Sequence, residues 1–262
     1  MKNNLSVYII AHNEIQKIEQ AITSVIWADE VVLVDSYSTD GTAEKAEELG
    51  AKVIQVPFSG FGALRNAAIK SCKHEWILSI DADERCTKKV RAEILAILNG
   101  ASTKDVYFIP RRNFLMGRWI RFSGWYPDYR QPQLFRRGSM EYDTLPVHEG
   151  YILKSSTPPG YLRNPIWQIP FGDPSEFLRK AQKYSDLGAT KLAGRRPTFV
   201  GAFGHALWAF IKTFFLKLGF LDGWRGFLIG FSGFEATYYK HIKALAIQRK
   251  SEWRSDFPDP VR

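Results

Sequence analysis

The stretch Trp76-Ile-Leu-Ser-Ile-Asp-Ala-Asp-Glu84 is the most informative part of the sequence, because a run of mostly apolar residues ends in two carboxylates where the chain has to turn. Such a run is typical of a strand buried on both faces of a sheet. Asp81 and Asp83 lie two residues apart, so both can reach one hard cation and the oxygens of a phosphorylated ligand. A solvated turn rich in Asp is the alternative interpretation, and the neighbouring segments decide between the two.

The rest of the N-terminal half repeats this pattern of apolar runs. Further buried strands are predicted, from their Val and Ile content, at 5–11, 30–35 and 51–56. Helices are predicted between the strands, at 14–26, 42–49 and 62–72. Strands and helices that alternate in this way predict an α/β fold with a mostly parallel, Rossmann-like sheet flanked by helices.

The predicted sheet gathers polar side chains at one edge. In open parallel sheets, ligands bind outside the carboxyl ends of the strands. Asn13, Asp35, Asp81 and Asp83 all close or follow a predicted strand, so we expect them at the same edge. Four unrelated solvated turns would not need to lie together, and a ligand site is therefore the favoured interpretation.

The first hundred residues contain, in this order, Val7-Tyr-Ile-Ile-Ala-His-Asn-Glu14, Val34-Asp35 followed by Ser38-Thr39-Asp40-Gly41-Thr42, Gly62-Ala-Leu-Arg65-Asn66 and Asp81-Ala-Asp83. In order and spacing these segments resemble the signature of family 2 glycosyltransferases with the GT-A fold. Later come Gly124-Trp-Tyr-Pro-Asp128, Gln133-Leu-Phe-Arg136, Val147-His148-Glu149 and Leu218-Gly-Phe-Leu-Asp-Gly-Trp-Arg-Gly226. They resemble the branch that adds glucose to the inner core of bacterial lipopolysaccharide. The resemblance implies a nucleotide-sugar donor, UDP-glucose, and a lipid-linked saccharide acceptor, a core heptose.

For the donor site, the resemblance implies that Asp35 accepts the N3 hydrogen of the uracil ring, as a carboxylate can. A helix-capping turn that begins with Ser38 is the alternative for this residue. Arg65 is expected to hold the diphosphate or to buttress Asp35, since a guanidinium pairs well with either; a surface ion pair is the alternative. Asn13 and Glu14 are expected to border the same pocket, although Glu14 also suits the first turn of a helix.

The two acidic positions of the Asp-x-Asp resemble the metal site of that family. Asp81 is expected to contact the ribose or sugar of the donor, and Asp83 to bind a Mg²⁺ or Mn²⁺ ion that bridges the diphosphate. A divalent cation neutralises charge on a departing nucleoside diphosphate. No proton donor for the leaving group is then required.

The resemblance also implies inversion of the anomeric centre in one displacement, which requires a carboxylate base for the acceptor hydroxyl. The candidates are Glu149 and Asp128, and we favour Glu149 because His148 beside it can add a metal or phosphate contact. A structural histidine and a loop glutamate are the alternatives at these two positions. The chain departs here from the commoner family pattern, which carries a Glu-Asp pair.

The acceptor is expected to meet a platform formed by Trp125, Tyr126 and Arg130, since flat aromatic faces suit the apolar faces of sugars. We expect residues 1–170 to form the catalytic domain, with nucleotide-sugar binding in 1–100 and the acceptor region in 101–170. A chain of 262 residues with 45% hydrophobic content can hold such a domain and a smaller appendage.

The appendage is expected at 171–262. Asp173-Pro174 predicts an N-cap followed by Pro at the first position of a helix that ends near residue 192. Phe177, Ala181 and Tyr184 are expected on the buried side of this helix. The appendage begins there and continues into a basic and aromatic region.

Residues 160–262 contain 16 Lys and Arg against 8 Asp and Glu, so nearly all of the net charge of +9 lies there. A stripe of apolar residues is predicted on one face of a helix, because their positions are three or four residues apart: Phe203, Leu207, Phe210, Phe214 and Leu218. This stripe can be ordinary core, but the surrounding basic residues favour a membrane surface. We therefore expect an amphipathic helical appendage on the anionic membrane surface.

The expected location is the cytoplasmic face of the inner membrane, with peripheral, monotopic attachment. A spanning helix needs about 20 consecutive, mostly apolar residues. Lys212, Lys217 and Asp222 are expected to interrupt every candidate span. Cys72 and Cys86 are too few for a disulfide framework, and they suit a reducing cytoplasm.

Three other classes are weighed. A catalytically inactive nucleotide-sugar or saccharide-binding protein of the same fold is the alternative function, but both acidic positions and two candidate bases are present. A dinucleotide oxidoreductase is disfavoured because His12-Asn-Glu14 follows the first strand in place of Gly-x-Gly-x-x-Gly. Nucleic acid is not an expected partner, since the basic excess lies with the aromatic helices and no reader module is recognisable.

Overall fold

The computed structural model describes residues 4–101, 103–143, 150–195 and 197–249. The chain divides into two compact units. The first, called the sheet unit, consists of Met1–Asn113 and Pro127–Pro170, and the second, called the helical unit, of Phe114–Tyr126 and Phe171–Arg262. The predicted boundary after residue 170 would leave residues 114–126 in the catalytic domain, whereas the structure groups them with the helical unit.

The strands are β1 (Leu5–Ala11), β2 (Glu30–Asp35), β3 (Lys52–Gln55), β4 (Trp76–Asp81), β5 (Glu84–Arg85), β6 (Val106–Phe108), β7 (Arg111–Leu115), β8 (Arg118–Trp119), β9 (Pro132–Arg136), β10 (Met140–Tyr142), β11 (Tyr151–Leu153), β12 (Gly160–Tyr161) and β13 (Ile166–Gln168). The helices are α1 (Ile15–Val25), α2 (Thr42–Glu48), α3 (Phe61–Ser71), α4 (Lys88–Ala96), α5 (Pro174–Leu192), α6 (Phe199–Ile211) and α7 (Trp224–Gln248).

The central sheet of the sheet unit has seven strands in the order β12-β6-β9-β4-β1-β2-β3. Parallel pairing joins β1 to both β2 and β4, β2 to β3, and β12 to β6. Among the strands that the structure describes in this sheet, only β9 runs antiparallel to its two neighbours, β4 and β6. The mixed α/β fold with a large, mostly parallel sheet flanked by helices, predicted from the sequence, is confirmed.

Strand β1 explains why the N-terminal runs are continuously apolar. Leu5, Val7 and Ile9 pack in one buried cluster with α1 and α4, whereas Tyr8 and Ile10 pack in a second cluster with α3. Alternate side chains of a strand point to opposite faces, so a strand covered by helices on both faces needs apolar residues throughout. Both faces of β1 are therefore core.

A smaller sheet lies in the order β5-β13-β7-β8. Within the sheet unit, Trp167 of β13 pairs with Arg85 of β5 and with Arg112 of β7. The next residue, Gln168, pairs with Glu84 and Asn113 in the same way. Because β5 follows the Asp-x-Asp directly, this sheet fixes the end of that turn.

The helical unit consists of α5, α6 and α7 together with the segment 114–126. The carboxylate of Asp222, 3% exposed, accepts hydrogen bonds from the backbone N–H groups of Arg121 and Phe122 at 3.1 and 3.0 Å. The guanidinium of Arg225 donates to the carbonyls of Leu115 and Met116 at 3.1 and 2.9 Å. These bonds explain why residues 114–126 belong to this unit.

Helix α5 begins at the predicted residue, and the Asp173 carboxylate caps it by accepting from the Glu176 N–H at 2.8 Å. Its buried residues are Phe177, Ser185 and Ala189. Tyr184 is 62% exposed, so its predicted burial is wrong. The buried residues advance from Phe177 by multiples of four, and each step of four turns the stripe by about 40° around the helix, so the stripe moves away from the side on which Tyr184 lies.

The aromatic stripe of α6 is largely exposed. Ala202 and Ala206 are the buried residues of this helix, whereas Phe203 and Leu207 are 52% and 42% exposed. By length and composition, Phe199–Leu216 is apolar enough to cross a membrane, with 18 residues of mean hydropathy 1.5. Lys212, one of the residues expected to interrupt a span, lies inside this segment, and the segment meets the length and composition of a span in spite of that charge.

Candidate active site

The register of the central sheet brings the predicted donor residues to one edge. Ala11, the last residue of β1, is paired with Asp35 of β2, and Ile10 is paired with Asp81 of β4. Asn13 follows β1 directly, and its side-chain oxygen accepts from the Thr39 N–H at 2.9 Å. The loops that follow β1 and β2 are therefore joined at the carboxyl edge of the sheet.

Asp40 joins the same two loops, a role that the sequence analysis missed. Its carboxylate accepts from the Ile15 N–H at 3.1 Å and from the Thr42 N–H at 3.1 Å. The Thr42 hydroxyl in turn accepts from the Glu14 N–H at 2.9 Å. Burial acts to raise the pKa of Asp40, but these hydrogen bonds outweigh it and lower the pKa below its usual value. The segment Asp40-Gly-Thr42, typical of a helix start, was the available signal.

Asp35 is fully buried, and its carboxylate accepts hydrogen bonds from both the backbone N–H and the hydroxyl of Ser38. This is the capping turn that the sequence analysis gave as the alternative. Glu14 immediately precedes α1, and its carboxylate pairs with Lys17 at 3.4 Å. Both residues lie at the predicted edge.

Arg65 is only 5% exposed, so the surface ion pair considered for it is wrong. Its guanidinium donates to Asp81 Oδ1 at 2.8 Å and to the Ser79 hydroxyl at 3.2 Å, and it stacks over the ring of Tyr142 at 5.4 Å. Burial acts to raise the pKa of Asp81, but Arg65, Arg111 and Arg130 outweigh it and lower that pKa. Asp81 is therefore held in its ionised form.

The turn that carries Asp83 is fixed on both sides. The Asp83 carbonyl accepts from the Ile169 N–H at 2.8 Å, and its carboxylate accepts from Gln168 at 3.3 Å. The Ala82 carbonyl accepts from Arg85 at 2.8 Å. The two aspartates consequently occupy a rigid turn at the sheet edge.

Asp81 and Asp83 are the residues at this edge that could hold a magnesium or manganese ion. Among the described residues, no group of three or more His, Cys, Asp or Glu side chains is arranged to hold a metal. Magnesium usually binds through one or two carboxylates and the phosphates of a substrate, so a pair on a rigid turn suffices. Hard carboxylate oxygens are also the ligand type that these cations prefer.

A buried ion pair, also missed by the sequence analysis, supports this turn. Glu84 and Arg111 are 0% and 1% exposed, and their side chains are joined by an ion pair. The Glu84 carboxylate also accepts from the Asp81 N–H and from Gln133, both at 3.0 Å. Burial raises the pKa of Glu84 to about 7, and the charges of Asp81 and Asp83 add to the rise while Arg111 opposes it. Glu84 thus connects the turn to β7 and β9.

The acceptor residues are divided between the units. Asp128 and Arg130, in the sheet unit, form an ion pair at 3.2 Å, and Arg130 acts on the pKa of Asp81. Trp125 and Tyr126 belong to the helical unit, where the Tyr126 ring packs edge-on against Trp119. His148 and Glu149 lie outside the described residues.

Residues 6–153 match the family model described as Glycosyl transferase family 2. The chain is 32% identical to the lipopolysaccharide core biosynthesis glycosyltransferase LpsC of Rhizobium meliloti (strain 1021), over 94% of this chain and 92% of that protein. It is 30% identical to an uncharacterized glycosyltransferase of Rickettsia bellii (strain RML369-C), over 87% of this chain and 81% of that protein.

Among solved structures, glucosyl-3-phosphoglycerate synthase from Mycobacterium tuberculosis, in complex with Mn²⁺, UDP and glucosyl-3-phosphoglycerate, is 26% identical. The similarity covers 41% of this chain and 44% of that chain, with a TM-score of 0.37.

Proposed function

Since this chain belongs to glycosyl transferase family 2, we propose that it is an inverting hexosyltransferase that moves glucose from UDP-glucose to a lipid-linked saccharide. Its sheet unit has the GT-A fold. The observation that carries the proposal is the rigid Asp81–Asp83 turn at the carboxyl edge of the sheet, held by Arg65 and Glu84.

We assign the donor site to this edge. Asp81 contacts the ribose or the sugar of the donor, and Arg65 keeps Asp81 ionised and oriented. Asn13 and Glu14 border the uridine side, where their loop is tied to the loop after β2. Asp35 is assigned to the uracil ring, and it reaches the ring only if the Ser38 turn opens, because its carboxylate is buried.

Asp83 is assigned to a Mg²⁺ or Mn²⁺ ion, and His148 to a further contact with it. Bound there, the cation would neutralise the charge of the departing diphosphate. The residues of the chain hold the carboxylate in place, because the Asp83 carbonyl and carboxylate are both hydrogen-bonded to the segment 168–169. The donor then enters a preorganised site.

We propose Glu149, in preference to Asp128, as the base that takes the proton of the acceptor hydroxyl. Asp128 is ion-paired to Arg130 at 3.2 Å, and this pair would have to open before the carboxylate could contact an acceptor hydroxyl. Glu149→Gln is expected to lower kcat at least about a hundredfold, the usual contribution of a general base, with UDP affinity unchanged. The same loss in Asp128→Asn with full activity in Glu149→Gln would exchange the two roles.

The acceptor is proposed to be a heptose of the lipopolysaccharide core. The relative from Rhizobium meliloti is named for lipopolysaccharide core biosynthesis, which supports this proposal. Trp125, Tyr126 and Arg130 are assigned to its binding. The exposed apolar surface of α6 and the basic residues of the C-terminal part support attachment to the anionic surface of the inner membrane, on the cytoplasmic face.

A panel of nucleotide sugars, offered with acceptor extracted from membranes, tests this function. We expect transfer from UDP-glucose, and NMR of the product should show the anomeric configuration inverted relative to the donor. Transfer with retained configuration would contradict the mechanism. Binding of UDP without any product across the panel would favour the alternative, a catalytically inactive nucleotide-sugar or saccharide-binding protein of the same fold.

A further inference from the structure

The sheet unit contains a cavity of about 590 Å³ that the donor site does not use. Its lining includes Arg85, Lys88 and Lys89 after the Asp-x-Asp turn, Arg112 of β7 and Trp167 of β13. No carboxylate lines it in the part of the chain that the structure describes. Its size is typical of sites for small ligands.

The register of the small sheet builds one wall of this cavity. Arg85, Trp167 and Arg112 are direct neighbours on β5, β13 and β7, so their side chains form one row on one face. The next row contains Glu84 and Gln168 and points to the other face. Along β13 the exposure follows this alternation, since Trp167 is 43% exposed whereas Gln168 is 9% exposed; Arg85, in the row of Trp167, is also 9% exposed.

The wall combines fixed positive charge with the partly exposed ring of Trp167. The Arg85 guanidinium donates to the carbonyls of Lys17 and Ala82 at 2.9 and 2.8 Å, so it supplies charge at a fixed position. Lys88 and Lys89, both exposed, begin α4 beside it. Cationic groups recognise phosphate and carboxylate, and the face of an indole suits the apolar face of a sugar ring.

We propose that this cavity binds an anionic saccharide, a sugar that carries a phosphate or carboxylate group. The proposal rests on the proposed function and refines its substrate class. The bound sugar is a charged part of the lipid-linked acceptor other than the residue that receives the hexose. The cavity thereby selects acceptors that carry negative charge.

Fluorine NMR of the full chain labelled with 5-fluorotryptophan tests the proposal, and Trp167→Phe assigns the resonance of Trp167. The probes are glucose 6-phosphate, glucuronate, glucose and inorganic phosphate. At least one of the two charged sugars should shift the Trp167 resonance saturably, with an affinity at least about tenfold above that of glucose or phosphate. If glucose 6-phosphate binds more tightly than glucuronate, phosphate is the recognised group; if glucuronate binds more tightly, carboxylate is.

Lys88→Gln/Lys89→Gln should weaken that binding at least about fivefold. Lys52→Gln/Lys70→Gln, which removes the same charge at exposed positions of β3 and α3, should leave it unchanged. The proposal is overturned by the absence of a saturable shift, by equal affinity for glucose or for phosphate, or by equal losses in the two double variants. Binding of UDP to the same samples tests the donor site separately, so failure of one site is distinguishable from failure of the other.

Discussion

Glu84 bears directly on the geometry of the Asp-x-Asp, although it is not assigned to any ligand. Its carboxylate accepts hydrogen bonds from the Asp81 N–H and from the Gln133 side-chain amide, and it forms the ion pair with Arg111 in a fully buried position. Burial acts to lower the pKa of Arg111, but Glu84 and Asp81 outweigh it and raise that pKa. The arginine thus stays charged, and its charge needs a partner.

Replacement of Glu84 by Gln is expected to lower the free energy of unfolding by about 1–3 kcal/mol, because the amide has one acceptor oxygen in place of two and leaves a buried donor without its hydrogen bond. Urea denaturation measures this change. Glu75→Gln is the matched control, since Glu75 is ion-paired with Arg136 at the surface, where such pairs contribute about 0–1 kcal/mol. Equal losses in the two variants would show that the Glu84 pair has no special role.

Sequence patterns predicted where Asp35, Asp81 and Asp83 lie, because the end of an apolar strand fixes a position along the chain. They did not reveal the partners of these residues. Glu84 and Arg111 are 27 residues apart, and a long-range pair leaves no local pattern. The burial of Arg65 was missed for the same reason, since Arg65 lies on α3 and its partners Ser79 and Asp81 lie on β4.

The two thiols are expected to be inert in the native protein. Burial raises the pKa of Cys72 and that of Cys86 to about 12 each, so almost no thiolate is present at pH 8. Alkylation by iodoacetamide at pH 8, followed by mass spectrometry, should be at least about a hundredfold slower than for an exposed cysteine. Both should react fully in urea. Rapid native labelling of either would contradict the burial described for it.

Among the secondary-structure elements, α7 depends on a close contact at its start. A methyl group at Gly226 would collide with the carbonyl of Gly219 and would also contact the Asp222 side chain. Asp222 in turn holds the N–H groups of residues 121 and 122. The segment Leu218–Gly226 therefore has a structural role within the helical unit. Through Asp222 it holds residues 121 and 122, which lie close in sequence to Trp125 and Tyr126.

Gly226→Ala is expected to destabilise the protein by about 1–3 kcal/mol, the usual range for overpacking. Gly233→Ala is the matched control in the same helix, because a methyl group there meets nothing within 4 Å. The control should stabilise by about 0.5–1 kcal/mol, since Ala favours helix over Gly. Thermal unfolding of both variants gives the comparison, and a neutral Gly226→Ala would contradict the close packing of α7.

The start of α5 and the first four strands followed from local signals, such as the Asp173 cap and the continuous apolar runs. The antiparallel direction of β9 between β4 and β6 did not. The direction of a strand is set by the path of the chain between strands, and β9 carries no local mark of it. The joining of segment 114–126 to the helical unit was missed because it depends on Asp222 and Arg225, about 100 residues away.

For the molecule as a whole, two physical terms support membrane attachment. The exposed Phe203 and Leu207 offer apolar contact, and residues 160–262 carry twice as many basic as acidic side chains. Basic residues near an anionic surface contribute about 1 kcal/mol each. The protein should therefore bind anionic liposomes more strongly than neutral ones, and salt should weaken the binding without abolishing it.

Liposome flotation measures this attachment. Phe203→Ser/Leu207→Ser should lower the bound fraction at least about fivefold by removing apolar contact. Ile26→Ser/Phe58→Ser, at exposed positions of the sheet unit, is the control and should behave as the wild type. Equal flotation of the two double variants would show that the α6 stripe does not contact lipid. Release from native membranes by alkaline carbonate would distinguish peripheral attachment from a spanning Phe199–Leu216.

Asp83 is proposed to bind a divalent cation together with the diphosphate of the donor, and manganese electron paramagnetic resonance with and without UDP measures this binding. The wild type should bind Mn²⁺ at least about tenfold more tightly when UDP is present, because the Asp83 carboxylate needs phosphate oxygens to complete the site. Asp83→Ala should lose this gain and all turnover while unfolding at the same temperature, and the surface control Asp186→Ala should keep both. Full turnover in excess chelator, or by Asp83→Ala, would contradict the claim.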